Sequence, residues 1–130
     1  MSDYVPLFKP GQAITSQASA AITGGQLVAV SGSGTVAPTA AATVAWVGVA
    51  AFDAGNGEKV TIHKGGVQRI VASGAITAGD QVVAAAAGKV ATLAAAATAV
   101  AADINAARQV VGVALTTATD GNPVEIDMDR

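Results

Sequence analysis

The sequence predicts an all-β protein, a small β-barrel or sandwich built from two duplicated β units. An extended N-terminal arm over residues 1–12 precedes it, and an alanine-rich insertion, helix or loop, interrupts the second unit. Three observations predict this class. One phrase occurs twice, as "AITGGQLVAVSGSGTVA" from Ala21 and as "AITAGDQVVAAAAGKVA" from Ala75. Turn signals rich in glycine recur about every 8–12 residues, the spacing of short strands in sandwiches and barrels. The stretches between them are β-branched or strictly alternating, as half-buried strands are. Residues 13–130 are expected to form a single β domain whose internal repeat covers 19–66 and 73–129.

The repeat holds at an offset of 54 and then, after one insertion of ten residues, at 64. At the first offset Ala21, Ile22, Thr23, Gly25 and Val28 fall on Ala75, Ile76, Thr77, Gly79 and Val82, and Gly34, Val36 and Ala37 fall on Gly88, Val90 and Ala91. At the second, "WVGVAA" from Trp46 falls on "VVGVAL" from Val110, and Gly57, Val60 and Ile62 fall on Gly121, Val124 and Ile126. Coinciding glycines and one gap distinguish this match from the chance identities of alanine-rich chain.

Each element has a local reason. In the arm, Pro6 and Pro10 favour extended backbone and deny helix. Tyr4 and Phe8 place two of the four aromatic residues in the first eight positions. The runs "QLVAV" and "QVVAA" are entered through Thr-x-Gly turns, in which Gly25 and Gly79 can take positive φ without a Cβ penalty. "GSG" and "AAG" turn the chain back into "TVA" and "KVA", a hairpin in each copy, and "VGVA" supplies a third strand. "NGEKVTIHK" and "DGNPVEIDM" open on Asn-Gly and Asp-Gly, the favoured two-residue hairpin signal, and continue in alternation, giving four strands per copy. The insertion around "AAAATAVAADINAAR", residues 94–108, has alanine's helix propensity but no clear cap, so helix and loop both fit.

Composition narrows the function. Hydrophobic residues make up 52% of the chain, but aromatics only 3% and alanine about a quarter. Alanine buries one methyl, and burial stabilises by about 25 cal/mol per Å², so such a core gains from contacts made in an assembly. Charged residues are 12%, against roughly 25% in an average domain, and the net charge is −2. That balance gives no basic face for nucleic acid. There is no cysteine, which removes disulfides, thiolate metal sites and cysteine nucleophiles together. The opening "MSDYVPLFKPG" does not read as a signal peptide. The longest apolar run, Leu93 to Ala102, is half the length of a spanning helix, so a soluble chain without membrane contact is expected.

Little in the chain suits catalysis, and neither enzyme activity nor a cofactor or metal is expected. The one histidine, His63, shares an alternating face with Lys59 and Thr61, and only Glu58 is an acid near it in sequence. "GSGTVA" fits a dinucleotide-loop pattern in letters but leads into strand rather than helix, and "GNGEK" lacks the rest of a phosphate loop. Glu125, Asp127 and Asp129 line one face of the last strand, too few oxygens for calcium without loop geometry. In the repeat register Thr61, His63 and Gly65 occupy their positions, with Lys59 at the place of Pro123. One copy thus carries a mildly basic strand face and the other an acidic one. Lys59, His63, Glu125, Asp127 and Asp129 are therefore candidate charges at a boundary between subunits, where complementarity sets register. The arm, Tyr4, Val5, Pro6, Leu7 and Phe8, either docks on a partner by pocket insertion or strand addition or folds back over its own barrel end.

Taken in order, "KPGQAIT", "AITGGQLVAV", "VGVAAFDAGNGEKVTI", "KGGVQRIVASGAITAGDQVV", "GKVAT" and the closing "VGVAL" resemble the small capsid cement, or decoration, proteins of tailed bacteriophages. The resemblance spans nearly the whole chain and rests on glycine and valine spacings. It implies a β-rich structural virion protein, made in the bacterial host cytoplasm, that binds the outer surface of an assembled head. It further implies the major capsid protein and other copies of itself, as a homotrimer, for partners, and no enzyme activity or cofactor. The ten-residue insertion and the richness in alanine depart from the family pattern. Two other readings stand beside this one: a carrier or small-molecule-binding barrel, which needs a lysine at a hairpin tip where this chain has "GSG", "AAG", "NG" and "DG", and a phage tail or fibre component.

Overall fold

The β-branched runs pair into two five-stranded units of one connectivity. The computed structural model describes residues 4–9, 11–95 and 100–130. The first unit contains β1 (Ile14–Ala18), β2 (Leu27–Gly32), β3 (Thr35–Pro38), β4 (Trp46–Ala50) and β5 (Lys59–His63). The second contains β6 (Val67–Val71), β7 (Gln81–Ala84), β8 (Val90–Thr92), β9 (Val110–Ala114) and β10 (Pro123–Met128). The first closes as a barrel in the order β1-β3-β2-β4-β5, and the second is a sheet in the order β6-β10-β9-β7-β8. The all-β class expected from the sequence is the observed one. No helix among the described residues is long and apolar enough to cross a membrane.

Pairing is equivalent in the two units. Gln17↔Lys59 joins β1 to β5 and Val71↔Pro123 joins β6 to β10, both antiparallel. Val28↔Gly48 and Val82↔Gly112 join the second strand of each unit to its fourth, and each pair is followed by a register shift at a bulge. Ala18↔Val36 and Ala72↔Val90 are both parallel. Each unit has five strands where the sequence pattern indicates four. The extra ones, β1 and β6, precede the repeated phrases and share only the residue that ends or follows them, Ala18 and Ala72.

The turns explain the shared glycines. Gly25 and Gly79 take φ of +91° and +94°, the third turn position at which a side chain would be strained. The fourth residue locks each turn: Thr23 N donates to Gln26 Oε1 at 2.8 Å, and Thr77 N to Asp80 Oδ2 at 3.0 Å. A residue from further along pins the second position, Asp53 accepting from Gly24 N and Thr117 from Ala78 N. Asn56-Gly57 and Asp120-Gly121 also sit in turns, closed by Glu58 N to Gly55 O and Asn122 N to Thr119 O. They are not the two-residue hairpins their letters suggest. The chain first bridges Ala54 to Ile22 and Ala118 to Ile76, which lengthens both connections.

Two apolar clusters fill the units. The smaller consists of Ala18, Ile22, Val28, Val36, Ala50, Ala54, Val60 and Ile62. The larger contains Ala72, Ile76, Val82, Val90, Ala114, Ala118, Val124 and Ile126, the same residue types at the same offsets. It also takes in Leu27, Trp46 and Val49 from the first unit and Ala84, Val111 and Met128 from the second, so one cluster runs across the junction. At the repeat offsets Leu27 corresponds to Gln81, Ala84 to Val30 and Met128 to Lys64, all three exposed. The copies differ where they meet.

Polar contacts fasten the same junction. Thr39 Oγ1 donates to Ala85 O at 2.8 Å, and Gln26 Nε2 to Ala87 O at 3.0 Å. Arg130 lies 4.2 Å from the centroid of the Trp46 ring, and its guanidinium donates to Val44 O and Trp46 O at 2.6 and 2.9 Å. The stretch read as helix or loop forms α1 (Ala101–Arg108), with residues 96–99 outside the described residues. Its cap comes from inside the helix, Asp103 Oδ2 accepting from Val100 N at 2.8 Å. None of its side chains is buried.

Trp46 is 2% exposed, and its Nε1 is buried with no hydrogen-bond partner among the described residues. The indole therefore serves the junction through apolar area. Trp46→Ala is expected to lower unfolding free energy by about 3–5 kcal/mol, and Trp46→Phe, which keeps most of the area and removes the unpaired donor, by far less. Denaturant titration followed by circular dichroism reads both; equal losses would show that the N–H matters after all.

Candidate functional site

Among the described residues, the arm is an apolar segment that the fold leaves uncovered. Tyr4 is 88% and Leu7 90% exposed, and Val5 and Pro6 are exposed with them. Phe8 differs. At 42% exposure it borders a cavity with Lys64, Gly65, Gly66 and Arg130 at the β5–β6 link. A turn then aims the chain into β1, with Gln12 N donating to Lys9 O at 3.0 Å and Lys9 N to Gln12 Oε1 at 2.9 Å. Phe8 thus meets the barrel end while Tyr4 to Leu7 project from it. Pro10, read as a second stiffener of the arm, lies outside the described residues.

The charged candidates fall on β5 and β10, which pair equivalently in their own units. Lys59 and His63 are exposed on β5, and Asp127 is exposed on β10 with Asp129 just beyond it. Lys59 pairs in register with Gln17, and His63 with Val49. Glu125 sits opposite Arg69 of β6, with Nη2 and Oε1 3.7 Å apart, the one ion pair among the described residues. Both side chains are substantially exposed, so the pair contributes under about 1 kcal/mol. Arg69 was not singled out in the sequence, because β6 precedes the repeated phrase. The alternation of "VQRIV" is the signal that marks it.

The motifs set aside on sequence grounds have other work. "GSG" forms the turn between β2 and β3, with Gly34 at φ +75°. In "GNGEK" the Glu58 carboxylate accepts from Gly55 N at 2.9 Å, which commits it to its own turn rather than to His63. Lys89 follows the short 3-10 turn Ala86–Gly88 and is half-buried rather than carried on a tip. No group of three or more metal-ligating side chains occurs among the described residues.

Sequence reasoning missed one feature, a cleft at the junction. It has a volume of about 380 Å³ and is walled by the Gly24–Gln26 turn, Arg69 and Val71 of β6, Pro123 and the Ala87–Lys89 segment. Only the docking of one unit on the other creates it.

No curated protein matches the chain. Among solved structures, the base of the head fibre protein gp8.5 of bacteriophage phi29, from its N-terminal part, superposes with a TM-score of 0.66 at 19% identity, covering 90% of this chain and 92% of that one. That likeness is one of fold. The model of the phage cement proteins matches residues 8–110, from the last aromatic residue of the arm to the start of β9. That match covers well over half of the chain, and the chain belongs to the phage cement protein family.

Proposed function

We propose that this structural virion protein binds the outer surface of an assembled phage head and clamps neighbouring shell subunits through the major capsid protein and through adjacent copies of itself. The uncovered arm carries this reading. Exposing Tyr4, Val5 and Leu7 leaves apolar area in water, and burying each such side chain on a partner stabilises by about 1.5–3 kcal/mol. In a lattice, many individually weak contacts of this kind add through avidity. Duplication of one β unit fits the role, since two units side by side span more of a shell than one. Turnover has no part in it: the candidate acids and His63 are dispersed over two units instead of converging. A fibre base is the second reading, favoured by the fold shared with the phi29 head fibre protein.

The charged faces of β5 and β10 extend the proposal. Lys59 and His63 on one copy, facing Asp127 and Asp129 on the next, would set the register between copies, as a homotrimer on the head requires.

Two measurements test this reading. Co-sedimentation with expanded heads that lack the protein is expected to show saturable binding, and removal of residues 1–10 to weaken it at least ~100-fold, the loss of about 3 kcal/mol or more. Undiminished binding would move the contact to the two β units. Asp127→Lys with Asp129→Lys is expected to weaken association between copies at low salt, where surface charges are least screened. An unchanged sedimentation profile would remove these charges from the contact.

A further inference from the structure

The second unit has an open seam. β6 pairs with β10 along its whole length, from Val67↔Asp127 to Val71↔Pro123. On its other side, among the described residues, one parallel bridge joins it towards β8, Ala72↔Val90, and that bridge lies past the end of β6. In the first unit the equivalent strand pairs with β3 at two positions, and the barrel is closed. The free side of β6 is thus a strand edge, a template for another extended segment.

The junction cleft opens over β6 at Arg69 and Val71 and reaches its less-paired side at the Ala87–Lys89 segment, next to Val90. Its volume of about 380 Å³ is at the low end of the ~300–1,000 Å³ of ligand sites, which suits a few side chains of a short segment. Val71, Pro123 and Ala87 give it apolar walls, and Arg69 and Lys89 make it basic. Arg69 is 71% exposed and its 3.7 Å pair with Glu125 is weak, so it can turn towards an incoming group.

The molecule also carries a segment of the matching kind. The arm presents Tyr4, Val5 and Leu7 to solvent, and its sequence acid, Asp3, is opposite in sign to Arg69 and Lys89. Pro6 is compatible with strand addition, because an added edge strand needs only alternate N–H groups to face its neighbour. The arm leaves the first unit at the Ile14 end of β1, whereas the cleft is bounded by the turn that follows the Ala18 end. Each copy is thereby left with an uncovered apolar segment at one end and an unfilled edge cleft at the other.

We propose that the arm of one copy, Tyr4 to Phe8, adds to the β6 edge of a neighbouring copy and places its apolar side chains in the junction cleft. This rests on the reading that copies stand side by side on a head, and it names the partner of the arm as a second copy of this chain. The contact is head-to-tail, so it closes into a ring wherever the rotation between copies allows.

The absence of native cysteine makes cross-linking a clean test. Chains bearing Leu7→Cys are mixed with chains bearing Arg69→Cys, bound to heads and oxidised. A disulfide forms only where Cα atoms approach within about 7 Å. The expected result is a covalent heterodimer, distinguished from either homodimer by mass, from this pair or, where the register is displaced by two residues, from the pair Leu7→Cys and Val71→Cys. A heterodimer missing from both mixtures while the protein still binds heads overturns the inference and leaves the head-binding reading intact. A link found only inside a single chain bearing both substitutions also overturns it, by assigning the cleft to its own arm. Failure to bind heads counts against the functional reading; the same mixtures oxidised at high concentration in solution then decide the inference, a heterodimer upholding it and none overturning it.

Discussion

Close approach of neighbouring backbones is the constraint on which this structure depends, and it is made where the fourth strand of each unit bends beside the fifth. Gly48 and Gly112 show how near. A Cβ on Gly48 would overlap the carbonyl oxygen of His63, and one on Gly112 that of Asp127. Both glycines lie in the fourth strand of their unit, beside the bulge, opposite the fifth strand. The bulge increases local twist, and the bare glycine lets the bent strand lie against its neighbour. Main-chain hydrogen bonding and tight closure then supply what larger side chains would supply elsewhere.

Two such units, each with a thin core, gain by sharing one. The junction is asymmetric: Leu27, Trp46 and Val49 come from one face of the first unit, and Ala84, Val111 and Met128 from a different face of the second. The equivalents of Leu27 and Met128 are Gln81 and Lys64, each exposed. At these two positions the unit that is covered carries an apolar residue and the uncovered one a polar residue. A junction made this way leaves the cleft beside β6, because two rounded units in contact cannot fill the space along their line of meeting.

The features of the fold legible in the sequence were those written locally. The Thr-x-Gly turns, the hairpins and the alternating last strands need only near neighbours, and their glycines sit at the φ values or close approaches that require glycine. β1 and β6 were not legible, because strands that close a unit are specified by their pairing with distant strands rather than by a repeated phrase. Asn56-Gly57 and Asp120-Gly121 announced turns correctly but not the longer connections, which depend on the bridges of Ala54 and Ala118 to Ile22 and Ile76. Helix α1 was ambiguous because its cap is supplied from Asp103 within the helix instead of at the N-cap position. Of the candidate site, the arm was visible as an aromatic, proline-bearing segment. Arg69 and the junction cleft were not, since docking of the two units defines them.

In the proposed role this protein works by contact, through the apolar side chains that its arm leaves exposed. Cement function makes a stronger demand than attachment, for it requires that the bound protein hold the shell together. Heating expanded, DNA-filled heads with and without saturating protein, and recording the temperature at which DNA is released, tests that demand directly. Release is expected at a higher temperature from decorated heads, rising with occupancy until the sites are full. Release at the same temperature from fully occupied heads would contradict this expectation and leave the protein as an attached base with no part in holding the shell.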